Sequence, residues 1–237
     1  MNSTGGRIII GQRYAEILHS PLERFFSRII EMPDNPHVDA RLSGQVDLAM
    51  LKTGTSQVII PINLKDSATE ALLHESGIKT VYTEDRQGRI YPEDSGLNVC
   101  VCGDYLIYNP ATADKRIEAI FPEKKRIEVK QGYTGCSVCK AGPESIITSD
   151  RGIHREAEKV GLNSLLISPG HIDLDGFDYG FIGGSSFMVN GVLMFTGSIE
   201  AHPSYNDIRS FLNNLSVDYE TLTDRRVFDI GGALTFN

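Results

Sequence analysis

Two hydrophobic periods alternate along the chain. Short apolar runs read as buried strands: Arg7 to Ile10, Val46 to Met50, Gln57 to Ile60, Ile78 to Tyr82, Asn98 to Cys102, Tyr105 to Tyr108, Arg126 to Val129, Ser145 to Thr148, Ser164 to Ile167, Val192 to Thr196 and Val217 to Leu222. Between them the apolar residues fall at helical spacing, in Ala71-Leu72-Leu73, in Ile117, Ile120 and Phe121, in Ile153, Ala157 and Val160, and in Ile208, Phe211, Leu212 and Leu215. Helix starts are marked by Ser67-Ala68-Thr69-Glu70 and by Ser204-Tyr205-Asn206-Asp207, and stops by Pro122 and Gly161. Each helix is preceded by two strands and followed by one.

That order repeats with a fixed period. Gly135, Gly183 and Gly231 lie 48 residues apart, and each opens a similar stretch: Gly135-Cys136-Ser137-Val138, Gly183-Gly184-Ser185-Ser186 and Gly231-Gly232-Ala233-Leu234. Gly44 and Gly96 open two earlier units. The fifth unit is split: Gly231 begins it, while Arg7 to Ile10 supplies its second strand and Ser20-Pro21-Leu22-Glu23 starts its helix, with proline in the first turn. The expectation is a single α/β domain over residues 1–237, of five strand-strand-helix-strand units closed into a ring by the two termini. An open α+β sheet is the alternative. The glycines of Gly183-Gly184-Ser185-Ser186 do not make a phosphate loop, because Phe187 and Met188 replace the lysine and helix that such a loop needs. Close backbone packing near the axis explains them better.

Composition narrows the function classes. The formal net charge of −8 over 237 residues argues against a nucleic-acid or anionic-membrane surface, and the run Lys124-Lys125-Arg126 is flanked by Glu123 and Glu128 as a solvated face would be. No apolar stretch approaches the roughly 18 residues that span a bilayer, and residues 1–6 lack the character of a signal peptide, so a soluble, cytoplasmic protein is expected. The four cysteines form Cys100-x-Cys102 and Cys136-x-x-Cys139. On strands, positions three apart face opposite ways, so core or channel-lining roles fit the spacing better than a zinc site; a reactive thiol is the third option. No metal and no cofactor is expected.

Candidate chemistry centres on two similar loops. Ile29-Ile30-Glu31-Met32-Pro33 leads to His37-Val38-Asp39 much as Leu165-Leu166-Ile167-Ser168-Pro169 leads to His171-Ile172-Asp173, and both pairs occupy the same place in their units. Within an extended segment, His and Asp two apart share a face, which suits a general base, a proton shuttle or metal ligation; each histidine can instead cap its loop or bond its own aspartate. Asp47, Asp175 and Asp178 lie near these loops and would make an oxygen-rich pocket for a cationic ligand, or serve as turn residues. His202 is placed beside the channel or at a helix cap, and His19, His74 and His154 at the surface.

Five such units resemble the pentein fold, the α/β-propeller of guanidino-group-modifying enzymes, a superfamily that includes arginine deiminase, agmatine deiminase, dimethylarginine dimethylaminohydrolase and the amidinotransferases. Pro169-Gly170-His171-Ile172-Asp173 is similar to the segment that carries their general acid/base histidine, and Ser149-Asp150-Arg151 resembles a helix opening in the same unit. Gly231-Gly232-Ala233-Leu234-Thr235-Phe236 resembles the segment that delivers their nucleophilic cysteine, whose place falls here on Thr235 or Phe236. Where those enzymes carry a Glu-Gly-Gly-Asp motif for the guanidinium, this chain reads Thr134-Gly135-Cys136-Ser137. The chain is most similar to a bacterial branch of the superfamily with no activity attached to it.

The resemblance implies a small polar ligand, amino-acid-like or guanidino-containing, at the channel end marked by His37, Asp39, Asp47, His171, Asp173 and Asp175, without cysteine-dependent amidino chemistry. An alternative is a hydrolase of a non-peptide C–N bond with His171 as general base and Asp173 orienting it. A non-catalytic interaction protein is the third class.

Overall fold

A computed structural model describes residues 4–236. In chain order it contains β1 (Thr4–Gly11), α1 (Ala15–Glu23) and β2 (Phe26–Met32); α2 (Val46–Ala49), β3 (Leu51–Gly54), β4 (Gln57–Ile60), α3 (Ala68–Glu75) and β5 (Lys79–Tyr82); then β6 (Cys100–Cys102), β7 (Tyr105–Tyr108), α4 (Ile117–Ile120) and β8 (Lys125–Glu128). The second half adds α5 (Thr134–Ser137), β9 (Val138–Gly142), β10 (Ser145–Thr148), α6 (Arg151–Lys159), β11 (Asn163–Leu166), β12 (Ser186–Val189), β13 (Val192–Phe195), α7 (Tyr205–Asn214), β14 (Tyr219–Thr221) and β15 (Leu234–Phe236). The strands form five three-stranded sheets, β15-β1-β2, β3-β4-β5, β6-β7-β8, β9-β10-β11 and β12-β13-β14. In every one the first pair is antiparallel and the second parallel. A parallel pair needs a crossover, and the helix between the second and third strands supplies it.

The chain ends meet in one sheet, where Ile8 of β1 lies opposite Thr235 of β15. This pairing completes a three-stranded sheet; among the described residues the ladders of the five sheets do not join into a closed one. What joins the sheets is side-chain packing. Ile59 of β4 packs with Leu106 and Tyr108 of β7. Ile107 packs with Ile146 of β10, Ile147 with Leu193 and Phe195 of β13, Met194 with Ile8 and Ile10 of β1, and Ile9 and Phe236 with Val58 and Ile60 of β4. The second strands are thus buried on both faces, which is why Val58-Ile59-Ile60 and Tyr105 to Tyr108 read as unbroken apolar runs.

Several boundaries differ from the sequence expectation. The run Val46 to Met50 is not a strand: its first four residues form the helical turn α2, fixed where the Asp47 amide donates to the Gly231 carbonyl at 3.1 Å, and β3 starts at Leu51. Likewise Thr134–Ser137 form the turn α5 before β9. Proline does not open α1. The helix starts at Ala15 and Pro21 lies inside it, because Ala15, Leu18 and Leu22 together make its buried face. Elsewhere the caps follow the sequence: the Ser67 hydroxyl accepts from the Glu70 amide at 3.3 Å, and the Asp150 carboxylate accepts from the Ile153 amide at 2.9 Å. Ser204 makes no such cap, since its hydroxyl accepts from the Ser168 amide instead. Asp150→Ala should cost about 1 kcal/mol, read as a lowered denaturation midpoint with an unchanged slope. Among the described residues no helix is long and apolar enough to cross a membrane.

Candidate functional site

The segments that lead into the first strands converge and hydrogen-bond across sheets. The Thr134 amide donates to the Asn98 carbonyl at 3.1 Å, Gly184 to Cys136 at 2.9 Å, Gly232 to Gly184 at 2.8 Å, and Asp47 to Gly231 at 3.1 Å. Backbones this close leave no room for side chains. A Cβ on Gly183 would lie 2.5 Å from the carbonyl oxygens of both Cys136 and Val138, and Gly231, at φ +70°, would press one against Gln45.

A polar cluster occupies the place those glycines clear. The Cys136 thiol donates to Asp47 Oδ2 at 2.7 Å and accepts from Asn98 Nδ2 at 3.0 Å, while the Cys136 amide donates to Asn98 Oδ1 at 3.0 Å. Asp229, 2% exposed, accepts from the Gly231 amide and the Phe181 amide, each at 2.8 Å, and from Gln45 Nε2 at 3.4 Å. Gly180 and Gly184 make its space: a Cβ on either would come within 2.4 Å of Asp229. Asp47 Oδ1 is buried without any partner. No ion pair reaches Asp47 or Asp229 among the described residues.

Burial without a counter-charge sets the protonation of these groups. Desolvation, reinforced by the charge of Asp229, pushes the Asp47 carboxyl up to about 8. Desolvation raises Asp229 to about 6, with the Gly231 and Phe181 amides restraining the rise. The Cys136 thiol is driven well above its ordinary value by burial first and by the two carboxylates next, so near neutral pH it is a thiol, not a thiolate.

Asp229, Gln45 and Cys136 form the floor of a pocket of about 350 Å³, with aromatic walls from Tyr133, Phe177, Tyr179 and Phe181. Phe177 and Tyr179 are 38% and 46% exposed, large apolar surfaces that a folded chain ordinarily covers. Tyr133 is held in place by donating to both oxygens of the buried Asp94 at 2.9 Å. An acidic floor under aromatic walls suits a flat cation, which stacks on the rings and hydrogen-bonds to the carboxylate.

The sequence-predicted residues divide. Asp47 lies in the cluster, and Asp178 lines the aromatic pocket. The two His-x-Asp loops are neighbours, since Arg41 donates to the Gly176 carbonyl at 3.0 Å and lies over the Phe177 ring at 4.3 Å. Their acidic groups are already engaged: Asp39 pairs with Arg41 at 2.7 Å, which holds its carboxyl well below the usual range, and Asp173 pairs with Arg226 at 3.4 Å. His171 is exposed at φ +65°, its ring edge-on to His202 at 5.7 Å. The His37 amide donates to Asn35 in a local turn, and Asp175 is exposed. Neither histidine lines the aromatic pocket, and among the described residues no hydrogen bond joins His171 to Asp173 or His37 to Asp39.

All four cysteines are free and buried, and burial pushes the Cys100 and Cys139 thiols up to about 12. Among the described residues no three His, Cys, Asp or Glu side chains gather as a metal would require. Sequence reasoning missed Asp229, Asn98, Gln45 and Tyr133. A signal existed for the central thiol: Cys136, Gly184 and Gly232 each follow a repeat glycine, and all three meet at this junction.

Comparison with known proteins places this geometry. A family model described as "Family of unknown function (DUF6873)" matches residues 9–234. Among solved structures, a cysteine-to-serine mutant of dimethylarginine dimethylaminohydrolase from Pseudomonas aeruginosa, complexed with citrulline, superposes with a TM-score of 0.56 at 13% identity, over 97% of this chain and 98% of that one. An agmatine deiminase from C. jejuni with substrate bound gives 0.56 at 9% identity, over 99% and 94%. An arginine dihydrolase from cyanobacteria gives 0.56 at 11% identity, over 98% of this chain and 39% of that one. At such identities the likeness shows the fold alone: five small sheets in the pentein arrangement.

Proposed function

Because the chain belongs to this family of unknown function, DUF6873, its activity has to be argued from its own site, and we propose that it binds a small guanidinium- or amidinium-bearing molecule in the aromatic pocket above Asp229. The observation that carries the reading is the pair of buried carboxylates, Asp47 and Asp229, within electrostatic reach of each other and without a protein cation. A bound cation relieves their repulsion and supplies the missing counter-charge. Proteins with the same fold hold citrulline and agmatine deiminase substrate, which supports an amino-acid-like or guanidino ligand here. The protonated state of Cys136 favours binding over thiolate chemistry. The five sheets are read as one domain, a ring of five similar blades around the cluster, supported by core packing that passes from each sheet to the next and from the last to the first.

Calorimetric titration with methylguanidine, agmatine and L-arginine tests the reading. At least one should bind, and Asp229→Asn should weaken it by about tenfold or more, the loss of a charge-assisted contact. L-citrulline, which lacks the positive head group, should bind more weakly than L-arginine. Equal affinity for citrulline and arginine, or no effect of Asp229→Asn, would contradict it.

A further inference from the structure

The polar cluster has a second side. Away from the aromatic pocket, the first strands line a separate open cavity of about 670 Å³, whose lining includes Asp47. Its other charged residues are Lys52 of β3, Lys140 of β9, and the pair Glu123 and Lys124, whose side chains meet at 3.6 Å. The aromatic pocket is acidic; here cations are in excess, in a chain whose net charge is −8.

Lys52 is the informative residue. Its ammonium donates to the Thr235 carbonyl at 2.6 Å and lies 4.7 Å from the centre of the Phe236 ring, half-buried. Burial, and secondarily the charge of Lys140, push its pKa down. No carboxylate pairs with Lys52 or Lys140 among the described residues. Lys140 lines the same cavity from an exposed position, and an anion between the two lysines would offset their repulsion. Asp47, whose Oδ1 is buried and unpartnered, lines the same cavity.

We propose that this cavity is a second ligand site, which holds the carboxylate or phosphate of a small molecule between Lys52 and Lys140 while an ammonium or other donor at the molecule's far end meets Asp47. The class is a short zwitterion, or an anion carrying a hydrogen-bond donor. A lysine pair grips an oxyanion as point charges and does not distinguish carboxylate from phosphate by geometry. The cavity's lining includes Asp47, whose other carboxylate oxygen accepts from the Cys136 thiol at the floor of the aromatic pocket, but none of Asp229, Tyr133 or Phe177.

The probes are γ-aminobutyrate and O-phosphoethanolamine, one for each oxyanion, titrated into the intact protein by calorimetry. At least one should bind with a Kd below about 1 mM, and Lys52→Met with Lys140→Met should weaken it by about tenfold or more. Lys52→Arg with Lys140→Arg, which keeps the charges, should retain it. Methylguanidine affinity is measured alongside, and the double methionine variant should not alter it because neither lysine lines the aromatic pocket, so failure here and failure of the guanidinium site are read separately. Absence of binding by both probes overturns the proposal, as does affinity that the double methionine variant leaves intact. If that variant does not fold, Lys140→Glu at its exposed position decides: a weaker probe supports the site, and an unchanged one overturns it.

Discussion

Gly183→Ala is expected to destabilise the protein by about 3 kcal/mol. The added carbon would sit 2.5 Å from two carbonyl oxygens, those of Cys136 and Val138, and both belong to backbone held in cross-sheet or strand hydrogen bonds. Relief requires the fourth and fifth sheets to part, and with them the contacts that seat Asp229. Gly142→Ala is the matched control, because its Cβ would meet only Ser145 at an ordinary 3.8 Å. Chemical denaturation of both variants checks the expectation; equal losses would mean that the junction is not tightly packed.

Stability should also fall as pH rises, opposite to the usual behaviour of paired carboxylates. Asp47 and Asp229 are raised in the folded chain to about 8 and about 6, from an ordinary 3.8. Between about pH 4 and pH 8 the folded state therefore holds more protons than the unfolded one, and each proton lost on raising the pH leaves a buried charge. From about pH 5 to pH 8 the expected loss is about 5 kcal/mol, or roughly 15 °C in Tm for a chain of this length. His202 works in the other sense, since burial and the neighbouring His171 lower its pKa and favour the folded state as pH rises. Asp47→Asn separates the two contributions: it mimics the protonated carboxyl and should flatten the decline by more than half. A wild-type curve that rises over this window, or an Asn variant with the same slope, would contradict the protonation assigned to the cluster.

The five-part order was legible because glycine is demanded where backbones cross. Gly183 and Gly231 have spatial reasons to recur, and a spacing of 48 residues reports them directly. The turns at Val46–Ala49 and Thr134–Ser137 were not legible, since Val46-Asp47-Leu48 alternates as a strand would and only the tertiary bond from Asp47 to Gly231 settles the local conformation. The site shows the same division. Asp47 stood out as an acid near the His-x-Asp loops, whereas Asp229 resembles an ordinary turn residue until Phe181 and Gly180, some 48 residues earlier, are seen around it. His171 and Asp173 were singled out by a short motif, which carries no information about Arg226; that arginine, brought in from the last unit, occupies both the Asp173 carboxylate and the His171 carbonyl.

The proton balance of guanidinium binding tests the central claim most directly. A cation seated over Asp229 lowers the pKa of both carboxyls, so methylguanidine added to weakly buffered protein near about pH 6.5 should release protons in proportion to occupancy. Calorimetry in two buffers of different ionisation enthalpy measures that release, and Asp47→Asn, which removes the carboxyl that is still protonated at this pH, should abolish most of it. Binding without proton release, or no binding of a guanidinium group at all, would contradict an acidic pocket that awaits a cation.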